Sequence, residues 1–245
     1  MMSDAVCRRL EWDSTFFGRR IASIRGKRLD RAKICSVQDF VRAESIDCIY
    51  YLVDDGDLES IEIAEDAGFR CMDVRVTRER SLEHRSLEDV VGAQPYREED
   101  LHALQAIARS SHGATRFYHD PGFPREMCDA LYERWITNAC ISVESDVLVV
   151  RDSGDAVGYV TCLSESAEMG KIGLIAVAEN CRGRGFGELL VRSSLVRLAT
   201  RGHERVRVVS QARNAESARL YERLGFVTTG TERWYHFWQE AGPST

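Results

Sequence analysis

The segment Asn180-Cys181-Arg182-Gly183-Arg184-Gly185-Phe186-Gly187-Glu188 sets two arginines among three glycines, between a strand-like run and a helix-like one. Glycine permits positive φ and close backbone approach, so successive N–H groups can converge on one anion at the start of a helix. Arg182 and Arg184 add the cations such an anion would need on a chain of net charge −6. A pyrophosphate fits this arrangement. A dinucleotide fold would want Gly-x-Gly-x-x-Gly, but the third glycine comes one position early and Glu188 follows it. The Gly-Lys-Ser/Thr of a P-loop is absent. The plain alternative is a glycine-rich turn with surface arginines.

Downstream, Asn214-Ala-Glu-Ser-Ala-Arg-Leu-Tyr221-Glu-Arg-Leu-Gly225-Phe226 separates an Asn and a Tyr by seven residues, two helical turns, so both can line one side. Asn214 can also cap the helix, and Tyr221 can also fill core. In this order the two segments resemble the GNAT acetyltransferases. Arg182-x-x-Gly185-x-Gly187, after the strand Ile172 to Val177, is similar to their coenzyme A pyrophosphate signature, and Asn214, Tyr221 and Leu224-Gly225-Phe226 are similar to the segment around the reactive end of the cofactor. The resemblance implies a GNAT fold, a mixed and mostly antiparallel central sheet flanked by helices, with acetyl-CoA as co-substrate and no metal. It implies cofactor contacts from Ile175, Ala176, Val177, Arg182, Gly183, Arg184, Gly185, Phe186, Gly187 and Asn214, including a backbone N–H near Ile175 to Val177 at the thioester carbonyl. Tyr221 takes the role of the acid whose phenol, with a pKa near 10, protonates the leaving thiolate. No carboxylate sits on Ile172 to Val177, so deprotonation of the amine would run through water to Glu165, Glu168 or His119.

A more diffuse similarity covers nearly the whole chain. Trp12, Phe16-Phe17-Gly18, Arg116-Phe117, Asp120, Tyr132, Trp135-Ile136 and Asn138 resemble the dTDP-fucosamine acetyltransferase branch, which acetylates a nucleotide-linked amino deoxysugar. The chain departs from that branch in Thr115, where a Ser is expected, in its more basic turn and in a tail past Trp238. The segment Thr115-Arg116-Phe117-Tyr118-His119-Asp120-Pro-Gly-Phe-Pro124 puts one cation in an aromatic, prolyl stretch suited to a sugar or base face plus a phosphate. Packing alone is the other reading of this loop. Arg116, Phe117, Tyr118 and His119 are the expected substrate contacts, with a dTDP- or UDP-amino sugar as partner. The alternatives are a protein or peptide N-acetyltransferase and a non-catalytic acyl-CoA-binding sensor.

The elements that must position these groups are those of an α/β (α+β) protein: short strand-like runs alternate with amphipathic helical runs. The charged stretch 81–94, ending near Pro95, reads as a linker between an N-terminal α/β unit, 1–80, and a GNAT domain, 95–240, followed by a tail, 241–245. In the second unit, helices are expected over about 99–108, 126–139, the apolar face Leu190 to Leu198, and 215–224. Strands are expected over 147–151, 157–163, 171–177, 205–210 and 231–238. Shifting the chain by 157 residues lays Ile49-Tyr-Tyr-Leu-Val53 on Val206 to Ser210 and Gly68-Phe69 on Gly225-Phe226, while Asn214 falls on Asp57 and Tyr221 on Ala64. Either the N-terminal unit is a degenerate partial copy of the GNAT repeat or two ordinary βαβ pieces coincide.

Composition narrows the partners. The acidic balance argues against nucleic acid, which asks for many cations. Apolar runs such as Val147 to Val150 are far short of the roughly 20 residues that span a bilayer. No secretory stretch opens the chain, so no membrane partner and a cytoplasmic location are expected. Eight cysteines lie at least 12 residues apart without a Cys-x-x-Cys pair, which reads as free thiols rather than a zinc site. A homodimer is left open.

Overall fold

The computed structural model describes residues 5–82 and 92–239, so most of the 81–94 segment and the 241–245 tail lie outside the described residues. The first half runs β1 (Cys7–Arg9), α1 (Glu11–Phe17), β2 (Ile21–Ile24), α2 (Arg31–Ala43), β3 (Cys48–Asp54), α3 (Leu58–Asp66) and β4 (Arg70–Ser81). After β5 (Gln94–Pro95) come α4 (Leu101–Ser111), α5 (Arg116–His119), α6 (Arg125–Ile141), β6 (Ser145–Asp152), β7 (Asp155–Ser164) and β8 (Met169–Val177). The chain closes with α7 (Phe186–Thr200), β9 (Arg205–Gln211), α8 (Ala215–Arg223) and β10 (Val227–Trp238). Every helix and strand expected in the second half forms, with ends moved by a few residues, except that α7 starts inside the glycine segment.

Two compact units emerge, and neither follows chain order: Met1–Arg75 with Thr115–Pro124 and Gly230–Thr245, and Val76–Ala114 with Arg125–Thr229. In the first, the strand order is β1-β2-β3-β10, with β2 parallel to β3 and the other pairs antiparallel. Its core packs α2 and α3 on this sheet through Val37, Val41, Ile61 and Ala64 against Ile49, Tyr51 and Tyr235. In the second, the order is β4-β9-β8-β7-β6-β5; β5 to β8 form antiparallel pairs, and β8 lies parallel to β9. Its core joins Leu190, Leu195 and Leu198 of α7 to Val160, Ile172, Val206 and Val208. The aromatics of Trp234 to Trp238 pack inside the first unit: Trp234 and His236 meet Tyr50, and Phe237 meets Phe69.

The 157-residue echo is structural as well. Asp57 and Asn214 both cap their helices, accepting from Ser60 N at 3.2 Å and Ser217 N at 3.0 Å, with φ/ψ of −87/74 and −88/76. Both helices end alike, Phe69 N bonding to Ala64 O and Phe226 N to Tyr221 O, each at 3.0 Å, after a glycine at φ +86 or +77.

Each unit takes one edge from the other half of the sequence: β10 pairs with β3 through Trp238↔Cys48 to Glu232↔Asp54, and β4 neighbours β9. Residues 95–240 expressed alone would lose β4 and bare the backbone of β9. Urea unfolding followed by circular dichroism is expected to show one cooperative transition for the full chain and none for that fragment, restored when 1–94 is supplied in trans.

Candidate functional site

In the second unit, the parallel pairing of β8 and β9 runs from Met169↔Arg205 only to Ile172↔Val208. There β8 carries one residue more than β7, as its register jumps from Val160↔Ile175 to Cys162↔Ile172. The extra residue is accommodated by Thr161, buried, whose Oγ1 accepts from Leu174 N at 2.8 Å. Ala178 N donates to Val157 O at 2.8 Å. Strand alternation then turns the amides of Leu174, Ala176 and Ala178 toward β7, and those of Ile175 and Val177 toward the side where β9 has ceased to pair. Beyond Ile172 and Val208, two donors of β8 therefore face a gap.

The chain leaves β8 through the short 3-10 helix Glu179–Cys181 and returns as α7. Gly183 and Gly185 stand at φ +75 and +84 with nothing within 4 Å of an added Cβ, so the turn is both left-handed and open. Gly185 is the N-cap of α7 and no side chain caps that end, leaving the first-turn amides of Phe186, Gly187 and Glu188 without an intrahelical acceptor. Arg182 folds back, Nε donating to Val177 O at 3.3 Å and Nη2 to Ser111 Oγ at 3.5 Å. Arg184 pairs with Asp152 at 2.8 Å and lies over Phe186, so much of its charge is already answered.

Tyr221, on α8, is 2% exposed and shares one apolar cluster with Ile175, Val177 and Phe186. Its ring meets Phe226 edge-on at 5.4 Å. Burial pushes the phenol above its ordinary range, partly opposed by Arg78, so it stays protonated at neutral pH. Asn214 is the N-cap of the same helix, and Gly187 lies 3.6 Å from Leu220 when given a Cβ. Glu165 is bound by Arg207 at 2.7 Å, while Glu168 and His119 are exposed.

The profile of the Acetyltransferase (GNAT) family matches residues 101–226, just over half of the chain. The chain belongs to the GNAT family. Spore coat polysaccharide biosynthesis protein SpsD of Bacillus subtilis (strain 168) is 27% identical over 139 residues, 57% of this chain and 48% of that protein. The mycothiol acetyltransferase of Corynebacterium efficiens is 36% identical over 84 residues, 34% of this chain and 28% of that one. This GNAT chain thus matches less than half the length of either relative. In fold it is similar to a functionally unknown conserved protein of Staphylococcus epidermidis ATCC 12228 (TM-score 0.67, 15% identity, 96% and 92% of the two chains). It is also similar to a tandem GNAT protein from the clavulanic acid biosynthesis pathway (TM-score 0.60, 14% identity, 93% and 77%).

Arg116, Phe117, Tyr118 and His119 belong to the first unit, as α5. Phe117 is buried, Arg116 and Tyr118 are half-buried and His119 is exposed. The Arg116 guanidinium is caged 4.2–4.3 Å from the ring centres of Tyr50, Phe117 and Trp234. Its Nη1 lies 2.8 Å from His236 Nε2, and an arginine can only donate, so Nε2 accepts and Nδ1 carries the proton toward Asp120 Oδ2 at 2.5 Å. Asp120 accepts further from Trp238 Nε1 and from Gly122 N at 2.8 Å. Burial alone would raise its carboxyl, but these bonds hold it below the usual range. Arg116 and Asp120 stand out in the sequence, but His236, which joins them, has no signal there beyond its place in an aromatic strand. Donor atoms of Cys48, Asp120 and His236 lie within 4.8 Å of one another, a spacing that could hold a metal. Both imidazole nitrogens are spent on Arg116 and Asp120, and burial keeps the Cys48 thiol protonated. Of the eight free cysteines, Cys35 and Cys71 are exposed and the other six are buried or half-buried. Among the described residues no helix is long and apolar enough to cross a membrane.

Burial lowers His236 to about 4 from an unfolded value near 6.5, with Asp120 opposing and Arg116 assisting. Between those values the unfolded chain binds the extra proton, so the stability from a neutral His236 is complete above pH 6.5 and is lost as pH falls through 4. Urea titrations at stepped pH are expected to lose up to about 3 kcal/mol over that window in excess of any loss in His236→Gln.

Proposed function

We propose that this chain transfers the acetyl group of acetyl-CoA to the amine of a small molecule, and that the amine belongs to a dTDP- or UDP-linked amino deoxysugar. The observation that carries the acetyl transfer is the gap past Ile172 and Val208. Two β8 amides face it, an uncapped helix start follows it, and a buried phenol shares the apolar cluster beside it. In this reading the amides of residues 183–187 hold the linked phosphates of coenzyme A, with Arg182 as the nearer uncompensated cation. Arg184 contributes less, because Asp152 already faces it. Asn214 keeps α8 in place as its cap and lines the cofactor's reactive end. The N–H groups of Ile175 and Val177 stabilise the carbonyl oxygen as negative charge builds on it.

The neutral amine nitrogen bonds to the acetyl carbon and the carbon–sulfur bond breaks, its electron pair leaving with sulfur. Tyr221 gives its proton to that sulfur. The proton released by nitrogen passes to water, from which the phenol is restored. Tyr221 suits the donor side of this exchange because burial keeps it neutral and its hydroxyl takes no hydrogen bond among the described residues.

The sugar half rests on the aromatic cage around Arg116 in the first unit and on the relative named for polysaccharide biosynthesis. A guanidinium stacked on rings with one of its five donors engaged suits a phosphate beside a planar base or sugar face.

Tyr221→Phe is expected to lower kcat on the order of a hundredfold or more with KM for acetyl-CoA little changed; unchanged turnover removes Tyr221 from the acid role. Thiol release from acetyl-CoA, screened against dTDP- and UDP-amino sugars, free amino sugars, polyamines and peptides, is expected to respond to the nucleotide sugars. A response to peptides alone sinks the sugar assignment.

A further inference from the structure

Arg78, on β4, is 6% exposed, and among the described residues no carboxylate pairs with it. Its Nη1 donates to Ser210 Oγ at 2.7 Å, and its Nε is buried with no hydrogen-bond partner. A guanidinium taken from water with neither a counter-ion nor a full set of acceptors is costly. The strand does not lack carboxylates: Glu79, one residue on and therefore on the opposite face, is gripped by Arg207 at 2.7 Å and by Arg205 at 3.5 Å. The positive charge at position 78 is thus left uncompensated beside a pair that is answered.

Its surroundings say what could use that charge. Val206, Val208 and Ser210 share the buried face of β9, and the first two belong to the apolar cluster that contains Tyr221. Ser210 stands two residues past Val208, where pairing with β8 has ended. Two residues along β4 on the same face, Arg80 Nη1 donates to Leu224 O at 2.7 Å, at the C-terminal end of the helix that bears Tyr221. Arg80 therefore touches the end of α8, and Arg78, on the same face of β4, is bonded to β9 two residues past the point where its pairing with β8 ends.

We propose that Arg78 is a positioning residue of the transfer site, acting through Tyr221 by stabilising the phenolate left when the phenol protonates the departing sulfur. This rests on the acid role given to Tyr221 above. The need for it is arithmetic. A free phenol near 10 is a weaker acid than a thiol near 8.5, so the proton moves uphill by about 1.5 units even in water, and burial steepens the climb. A buried cation bonded to the β9 face that carries Val206 and Val208 of that cluster lowers the charged phenolate more than the neutral phenol. The step stays balanced: the proton goes to sulfur, the negative charge moves to the phenolate oxygen, and water returns a proton to it.

The test uses the full chain labelled with 3-fluorotyrosine, the Tyr221 resonance being identified by its loss in Tyr221→Phe. Arg78→Met is expected to raise the Tyr221 titration midpoint by about one unit or more, and Arg78→Lys, which keeps the charge, to leave it near wild type. Turnover in Arg78→Met is expected to fall roughly tenfold or more with KM for acetyl-CoA little changed. In the Tyr221→Phe background the same substitution should cost nothing further. An unmoved titration in folded Arg78→Met, or an equal loss in both backgrounds, overturns the proposal while leaving the acid role of Tyr221 intact. If Arg78→Met does not fold, Arg78→Lys decides alone: retained turnover and midpoint support the charge role, and a large loss of turnover at an unchanged midpoint refutes it. Unchanged turnover in Tyr221→Phe is a separate failure, that of the acid role itself, and takes the Arg78 proposal with it.

Discussion

The candidate site depends on one hydrogen bond, that from Leu174 N to Thr161 Oγ1. An extra residue in a strand leaves an amide unpaired, and a buried unpaired amide costs about 1–3 kcal/mol. By accepting that amide, Thr161 lets β8 bulge without penalty, and the bulge turns the strand just where its pairing with β9 ends. Gly173 adds to the same fit: a Cβ there would stand 2.5 Å from Thr161 Oγ1. Without this local device β8 and β9 could continue side by side, the amides of Ile175 and Val177 would be consumed by the ladder, and no gap would remain beside Tyr221.

The first unit solves a different problem, that of keeping an arginine in an aromatic core. Arg116 has three rings around it, and its one acceptor is a neutral imidazole rather than a carboxylate. Asp120 sits one ring further away and fixes the tautomer through Nδ1. The cation and the anion are therefore linked but not in contact, which leaves the guanidinium's attraction for an outside anion larger than a direct pair would. Protonation of His236 would place two cations face to face, and burial resists that.

Much of this was legible in the sequence because it is local. The alternation of short apolar runs and amphipathic stretches foretells the order of elements from 99 onward; of the three glycines in the 183–187 segment, Gly183 and Gly185 are left-handed, whereas Gly187 lies in the first turn of α7. Asn214 read as a helix cap and is one. What escaped notice was whatever depends on partners distant in sequence. Arg184 read as a free cation, and nothing near it in sequence foretold that Asp152 would face it. Asp120 and His236 are 116 residues apart, and Arg78 and Ser210 are 132 apart. A cut at residues 80 and 95 reads well along the chain because the segment between is charged, but the compact units exchange strands across it, and strand exchange leaves no periodicity to read.

That exchange bears on what the N-terminal half contributes to the second sheet. The N-terminal echo puts Asp57 where Asn214 stands and Ala64 where Tyr221 stands, so its helix has the cap and no phenol. Ala64 is fully buried, so no open space at that position waits for a ring. Yet the strand that follows this helix, β4, neighbours β9, while the strand that follows α8 pairs with β3. Each half of the sequence thus lends a strand to the other's sheet, and deletion of the first would strip β9 of its neighbour and remove the bonds of Arg78 to Ser210 and of Arg80 to Leu224. The N-terminal half thus supports the second sheet through the backbone that β4 sets beside β9, and the end of α8 through the Arg80 bond to Leu224 O.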